Sequence, residues 1–249
     1  MAADRFFIVR TRPGEGETVL LDREESHHLR DVVRARPGDE VVLLDGEGGR
    51  YEATVRSTDG SGAAVEVLHA AVMPQPPQVD LAIAVTKAHR MDIAVEKCAE
   101  LGIRRIIPLS CRNSVWRGGA GEAAHKAERF ARKVESACKQ SGNPWFTIVD
   151  PVTDVAGLIS LLGGWELVYL ADATGQPAPK TLRRTRQASA VLGIIGPEGG
   201  FTDEETAALV VARAVPVTLG PTRLRSETAT ICLAWWLLAA SGPPAPPGR

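Results

Sequence analysis

Two glycine-rich segments near the C-terminus constrain the fold of this chain more than any other feature. Residues 196–202 follow the apolar run 191–195, and residues 219–229 follow the apolar run 215–219. Each apolar run is typical of a strand, and each glycine segment leads into a run with helical spacing. A strand, a tight turn and a helix N-terminus leave several backbone N–H groups unpaired in one place. Two such turns, this close in the chain, predict one small-molecule pocket.

Both helix starts carry capping residues. Thr202 with Glu205 three positions later matches a capping box, and Ser226 is predicted to cap the helix that follows it. Ordinary connections also use Gly and Pro, so either segment alone has a purely structural explanation. The pair is harder to explain in that way, because Arg225 and Glu227 stand beside the second turn and no turn type requires them.

A proline-rich stretch at residues 74–78 separates two regions of different periodicity, and it favours an extended linker. Residues 1–73 hold short alternating runs and one polar helix near residues 24–34, which predicts a small β-barrel. Residues 79–240 alternate strands with helices, which predicts a mostly parallel sheet covered by helices. The Pro-rich tail, residues 241–249, is predicted to be disordered.

Composition narrows the class of protein. The chain is 44% apolar and 24% charged, as in soluble globular proteins, and no apolar run reaches the length of about 18 residues that a membrane span needs. The N-terminus lacks a signal-peptide core, and the four cysteines form no C-x-x-C pair. We therefore predict a cytoplasmic protein with free thiols, no metal and no membrane association.

The charge distribution is uneven between the two regions. Residues 1–75 hold nine Lys and Arg against fourteen Asp and Glu, and the remainder holds twenty against sixteen. The N-terminal region therefore does not act as a general polyanion trap. Lys126, Arg129 and Lys133 share one helical face by their spacing, which is either a solvated face or a row of phosphate contacts.

Several stretches resemble a known family. The segments G-P-E-G-G-F-T at 196–202 and L-G-P-x-x-L-R-x-E-T-A at 219–229 are similar to the C-terminal signature of the bacterial 16S rRNA uridine-N3 methyltransferases, the RsmE family of the SPOUT superfamily. Residues 91–102 resemble that family's M-D-x-x-x-x-K-x-x-E-L-G helix, and residues 28–34 resemble its H-x-x-x-V-L-R motif. The resemblance covers nearly the whole chain and ends before Ser241.

The resemblance implies a fold and an activity. The fold is α/β: a small N-terminal PUA-like β-barrel that engages RNA, followed by a SPOUT α/β domain with a C-terminal trefoil knot. Physics alone argues against a knot, because true knots are rare. The implied activity is transfer of a methyl group from S-adenosylmethionine to N3 of a specific uridine in 16S rRNA, within the small ribosomal subunit.

Residue roles follow from the same resemblance. The implied cofactor-binding residues, which hold the adenine and ribose by apolar and main-chain contacts, are Leu170, Ile195, Gly196, Pro197, Gly199, Gly200, Leu219, Gly220, Leu224 and Thr228. The implied catalytic residues are Glu198, Arg225 and Glu227. Either glutamate is a candidate general base, and either is equally explained as a helix-start acid that favours the dipole. The candidate RNA-binding residues are His28, Arg30, Arg34, Arg112, Arg117, Lys126, Arg129 and Lys133.

The helix predicted near residues 228–240 is almost entirely apolar. Trp235 and Trp236 are neighbours in it and point about 100° apart, so both cannot face one narrow seam. We expect one of them to pack in the core and the other to meet a second copy of the chain; the alternative is a fully buried helix. Two other functions stay open, namely methylation of another rRNA or a tRNA position, and RNA binding without catalysis.

Overall fold

Alternating apolar residues in the N-terminal region pair as a five-stranded sheet. The computed structural model describes residues 5–59, 62–116 and 118–242, without the side chains at 120, 121, 124 and 182. The predicted tail, apart from residues 241 and 242, lies outside these ranges. The elements of this region are β1 (Phe6–Ile8), β2 (Thr18–Leu20), α1 (Arg23–His27), β3 (Glu40–Leu44), β4 (Gly49–Ser57) and β5 (Ala64–Val72).

The strand order in this sheet is β1-β3-β4-β5-β2. Only the β1–β3 pair is parallel among these described strands, and the other pairs are antiparallel. The inward side chains, among them Phe7, Leu43 and Val65, form an apolar core. The alternation of the sequence thus places one residue in two against that core.

The polar helix of the N-terminal region has two parts. Asp22 caps α1, its side chain accepting a hydrogen bond from the N–H of Glu25 at 2.8 Å. The chain continues as a π-helical turn, His28–Val33, whose Leu29 is buried in the sheet's core. Arg34 ends the turn in the left-handed conformation, with φ at 57°. The predicted helix is therefore present, and a wider turn forms its second half.

Strands and helices alternate in the C-terminal region and form a parallel sheet of order β12-β10-β11-β6-β7-β8, with the short β9 beside β7. The predicted parallel sheet is thus confirmed. Its elements are β6 (Gln78–Ala84), α2 (Ala88–Leu101), β7 (Arg105–Ser110), α3 (Ala120–Ser141), β8 (Ile148–Val149), β9 (Thr153–Asp154), α4 (Val155–Leu161), β10 (Leu167–Pro177), α5 (Leu182–Gln187), β11 (Ala190–Ile195), α6 (Asp203–Val211), β12 (Val215–Thr218) and α7 (Ser226–Ser241).

Helix α7 packs closely on the sheet at Gly193. A Cβ at Gly193 would lie 2.7 Å from a methyl group of Leu233 and 2.8 Å from one of Leu81, so a larger residue here would have to move these side chains. Other sheet residues, such as Ile107 and Leu170, form a core with α4 and α6. The trefoil knot implied by the resemblance stays a prediction.

The chain divides into two compact units. One contains residues 5–75 together with residues 135–146, and the other contains residues 76–134 and 147–242. The division falls within the predicted linker. However, residues 135–146, the end of α3 and the turn after it, group with the N-terminal sheet. The backbone at Gly142, for example, lies so close to the ring of Phe6 that an added Cβ would be 2.6 Å from it.

A buried ion pair lies within the first unit. Lys139 Nζ is 2.6 and 2.7 Å from the carboxylate oxygens of Glu25, whose side chain is 7% exposed. Burial raises the pKa of Glu25, and the Lys139 ammonium opposes that rise. A carboxyl whose folded-state pKa is raised contributes most to stability in acid, and that contribution is lost as the pH rises through the folded-state pKa.

We expect Lys139→Met to destabilise the protein by about 2–3 kcal/mol at pH 7.5, because it leaves a buried carboxylate without its cation. The loss should shrink at pH 4.5, where Glu25 takes up a proton. Urea unfolding at the two pH values measures it, and the double variant Glu25→Gln with Lys139→Met serves as the control. A loss of equal size at both pH values would show that packing, not charge, holds this contact.

Two properties of the described residues bear on function. No helix within the described ranges is long and apolar enough to cross a bilayer. In the same ranges, no group of three His, Cys, Asp or Glu side chains converges in a way that could hold a metal ion.

Candidate functional site

The two glycine turns lie at one edge of the parallel sheet. Strands β11 and β12 flank β10 and run parallel to it, so the carboxyl ends of all three strands meet at this edge. The first turn follows β11 directly and the second follows β12. This edge is where parallel α/β sheets bind their ligands. The pairing of the turns predicted from the sequence is therefore present in three dimensions.

A cavity of about 420 Å³ opens between the turns, which is within the usual range for small-molecule sites. Most of the predicted cofactor-binding residues border it. They are Ile195, Gly196, Pro197, Gly200, Leu219, Gly220 and Leu224, together with the predicted catalytic residue Glu198.

Three predicted cofactor-binding residues do not border the cavity. Leu170 is buried in the core beneath it. A Cβ on Gly199 would meet Asn113 at 3.2 Å, and Thr228 is exposed on α7. Residues that the sequence analysis missed complete the wall. They are Ala171, Asp172, Ala173, Phe201, Thr206, Thr218, Thr222, Arg223, Ser226 and Ala229.

The cavity-lining residues of β10 are the most important ones that were absent from the predicted site. β10 runs from Leu167 to Pro177, and residues 171–173 within it border the cavity. The signal was present, because the central strand of three parallel neighbours also ends at the ligand-binding edge. Applying that rule to the predicted strands would have placed Ala171 and Asp172 beside the glycine turns.

The first glycine turn is braced from two sides. Gly200 has a φ of 73°, and its N–H donates to the carbonyl of Pro197 at 2.9 Å. Asn113 Nδ2 donates to the Gly200 carbonyl at 3.1 Å. The predicted capping box of Thr202 and Glu205 is confirmed, with both reciprocal hydrogen bonds formed. The turn is therefore held rigid on the side facing away from the cavity.

The predicted N-cap of α7 is wrong. Arg225 occupies the cap position without a side-chain hydrogen bond, and Ser226 is the first residue of the helix. The Ser226 hydroxyl donates instead to the carbonyl of Gly196 at 3.2 Å. This bond ties the second turn to the first, which explains why a capping-type residue stands here without capping its own helix.

The two candidate bases lie close together, and one arginine contacts both. Arg90, in the first turn of α2, places Nη1 2.5 Å from Oε1 of Glu198 and Nε 3.9 Å from Oε1 of Glu227. The other carboxylate oxygen of Glu227 is buried and has no hydrogen-bond partner among the described residues. Arg225 is exposed. The sequence analysis missed Arg90, since only tertiary packing brings α2 and α7 together.

The candidate RNA-binding residues lie in varied surroundings. In the first unit, His28 packs against the Phe7 ring at 5.4 Å, Arg30 pairs with Asp31 at 3.1 Å, and Arg34 is exposed. Arg117 lies outside the described residues. The remaining four belong to the second unit: Arg112, Lys126, Arg129 and Lys133.

The predicted row of phosphate contacts on α3 is partly neutralised. Arg129 forms an ion pair with Asp92 at 2.9 Å, and Lys133 lies 3.4 Å from Glu96. Both carboxylates belong to α2. Sequence spacing correctly placed the three cations on one face, but it could not show that acidic residues of another helix lie opposite two of them.

Comparisons with known proteins agree with this architecture. The model of an RNA methyltransferase domain matches residues 73–238, and the model of an RNA methyltransferase PUA domain matches residues 21–68. The chain is 31% identical over 230 residues to the ribosomal RNA small subunit methyltransferase E of Mycobacterium tuberculosis, covering 90% of this chain and 87% of that protein. The Bacillus subtilis protein of the same name is 26% identical over 240 residues, with 91% and 93% covered.

Solved structures give the same picture. A Neisseria gonorrhoeae ribosomal RNA small subunit methyltransferase E bound to S-adenosylmethionine has a TM-score of 0.82 and 26% identity, with 92% of this chain and 94% of that one covered. A Legionella pneumophila protein with bound cofactor SAM has a TM-score of 0.85 at 26% identity, covering 95% and 97%. The PUA-containing N-terminal region and the α/β methyltransferase region predicted from the sequence are thus confirmed.

Proposed function

The chain belongs to the RNA methyltransferase family, and from that premise we propose that it methylates N3 of a specific uridine in 16S rRNA of the small ribosomal subunit, in the cytoplasm. The relatives named above are called ribosomal RNA small subunit methyltransferases, which supports rRNA as the substrate. The choice of uridine and of N3 rests on the resemblance of the two glycine signatures to the RsmE family.

One observation carries the proposal: the cavity enclosed by the two glycine turns. S-adenosylmethionine supplies an activated methyl group when it is bound. The residues present fit such a ligand, because Gly196, Gly200 and Gly220 expose backbone on the cavity wall while Ile195 and Leu224 offer apolar surface to an adenine. Asp172, in the middle of β10, borders the cavity; its Oδ1 accepts hydrogen bonds from Thr174, which leaves Oδ2 as an acceptor for ribose hydroxyls.

The acid–base chemistry falls to the Glu198–Arg90–Glu227 group. Uracil N3–H is a weak acid and must lose its proton in order to attack a methyl group. Glu198 is engaged in a short ion pair with Arg90, whereas Oε2 of Glu227 has no partner among the described residues. We therefore assign the base to Glu227, with Arg90 positioning it. Because Oε2 of Glu227 is buried, the incoming uracil must displace a neighbouring side chain to reach it.

The proposed target is tested by mass spectrometry of rRNA from a deletion strain, compared with the parent strain. We expect one uridine of 16S rRNA to lose a single methyl group at N3, and purified protein to restore it on small subunits. Modification of a different RNA would support the alternative substrate. Unchanged RNA in every fraction, with S-adenosylhomocysteine still bound, would favour RNA binding without catalysis.

We also propose that the chain forms a homodimer through α7. Trp236 packs edge-on against Tyr169 with the ring centroids 5.5 Å apart, while Trp235 is 62% exposed. Trp236 is half-buried, so the two neighbours face different surroundings, and the exposed Trp235 supports the proposed contact with a second copy. A large exposed aromatic side chain on an apolar helix is typical of an interface centre.

Trp235→Glu is expected to convert a dimer into a monomer at micromolar concentration, because it would bury a charge at a symmetric contact twice. Light scattering of the parent and the variant measures this. Val211→Glu replaces another exposed apolar residue, on α6, and serves as the matched control. A monomeric parent chain would refute the proposed dimer.

A further inference from the structure

A second cavity, of about 710 Å³, lies apart from the glycine turns. It is formed by the loop after β7 and by the first turns of α3, within the second unit. The side chains that decide its chemistry are Trp116, Glu122, His125, Lys126 and Arg129. One aromatic ring, two cations and one histidine therefore face a space large enough for a nucleotide.

The indole of Trp116 is held as a wall of this cavity. Lys126 Nζ lies 4.6 Å from the ring centroid, a cation–π contact. Next to the ring is Gly118, where a Cβ would lie 2.7 Å from the edge of the indole and closer still to the Glu122 carboxylate. The backbone at Gly118 thus packs against both side chains. A flat aromatic surface fixed in this way is a stacking platform for a base.

The two cations of this cavity, Lys126 and Arg129, can bind an anion. Arg129 uses Nη2 for Asp92, but its Nε is buried and has no hydrogen-bond partner among the described residues. Burial, followed by the nearby Arg129, lowers the pKa of Lys126, and the carboxylates of Glu122 and Asp92 oppose that fall. An anion placed between the two side chains would accept a hydrogen bond from Arg129 and bring a negative charge next to the Lys126 ammonium.

Glu122 limits which anion fits. Its carboxylate is on the same wall, and Asp92 already compensates part of the Arg129 charge. A polyphosphate would be repelled by these acids, whereas a phosphodiester carries one negative charge. The lining therefore suits a single nucleotide of a nucleic-acid strand, stacked through its base and held through one phosphate.

We propose that this cavity is a subsite for one nucleotide of the RNA substrate outside the methylated position, with its base stacked on Trp116 and its phosphate bound by Lys126 and Arg129. The inference rests on the proposed function, because it takes RNA as the ligand. It assigns to Trp116 a role that the basic residues of α3 cannot supply. The stacking contact holds the strand whatever the salt concentration, and the phosphate contacts add a salt-dependent part.

The test uses the full chain, saturated with S-adenosylhomocysteine, and a fluorescein-labelled single strand of ten uridines as the probe. Fluorescence anisotropy gives the affinity across a salt series. Trp116→Ala is expected to weaken binding by roughly 10- to 100-fold with an unchanged salt slope, since one base loses its stacking partner. Trp116→Phe keeps a ring and should retain most of the affinity.

Lys126→Met should reduce the slope of log affinity against log salt by about 0.7, the value for one phosphate contact of a single strand. Lys180→Met, at an exposed lysine of the same unit outside the cavity, is the matched control and should change neither quantity. If Trp116→Ala bound the decauridine with the affinity of the parent, the proposed nucleotide subsite would be refuted.

Methylation of small subunits by the parent protein is measured in parallel. If the parent methylates and Trp116→Ala binds RNA normally, the subsite is refuted while the proposed function stands. If the parent fails to methylate any uridine and Trp116→Ala still loses affinity for the probe, the proposed function fails and the subsite stands.

Discussion

Gly196→Val is expected to lower the affinity for S-adenosylmethionine by at least about 100-fold, or about 2.8 kcal/mol. Gly196 borders the cavity, and a Cβ at this position would already lie 3.1 Å from the ring of Phe201, another wall residue. The two methyl groups of valine must either enter the cavity or push Phe201 into it. Isothermal titration with S-adenosylmethionine and S-adenosylhomocysteine measures the loss.

Two further glycine variants separate this effect from general destabilisation. Gly163→Val, at an exposed glycine whose Cβ would meet nothing within 4 Å, should leave the affinity unchanged. Gly199→Val lies in the same turn as Gly196, but its side chain would meet Asn113 and not the cavity, so a smaller loss is expected. If Gly199→Val lost more affinity than Gly196→Val, the cofactor would lie on the other side of the turn.

Glu227→Gln is expected to reduce the single-turnover rate of methyl transfer by about 10²- to 10⁴-fold, the usual contribution of a positioned base. Glutamine keeps the size of the side chain and can still contact Arg90, but it accepts no proton. The affinity for S-adenosylhomocysteine should stay close to that of the parent, because Glu227 does not border the cofactor cavity. Rapid-quench assays on small subunits give the rate.

Variants of the two partners show whether the assignment holds. Glu198→Gln removes the carboxylate that Arg90 binds at 2.5 Å, and because Glu198 borders the cavity, the variant should weaken cofactor binding more than it slows methyl transfer. Arg90→Met should lower the rate without changing cofactor affinity, and Arg90→Lys should restore part of it. If Glu227→Gln transferred the methyl group at a rate within twofold of the parent, the general base would be a group other than Glu227.

Local patterns in the sequence were enough for the elements and for the pairing of the two turns. The apolar runs before residues 196 and 219 became β11 and β12, and the Thr202–Glu205 capping box formed as predicted. These features depend on neighbours within about five residues, so a single sequence contains the information. The resemblance to the RsmE family likewise rested on contiguous motifs, and it named the family correctly.

The features that could not be predicted from the sequence share one physical cause: each of them depends on a partner that is distant in the chain. Ser226 looks like a helix cap, yet its hydroxyl donates to Gly196. Gly199 looks like a ligand contact, yet it faces Asn113. Arg129 and Lys133 look like an open basic face, yet carboxylates of α2 lie opposite them. Spacing gives the face that a residue occupies, but not what packs against it.

The sequence by itself therefore determined the two-region architecture, the glycine turns and the set of residues from which a cofactor site is built. Only the tertiary structure decided which of those residues border the cavity and which contact one another. It brought Arg90 of α2 between Glu198 and Glu227, and it placed residues 171–173 of β10 at the cavity. The reason is that hydrogen-bond patterns and helical periodicity are local, whereas burial and charge compensation depend on which elements the folded chain brings into contact.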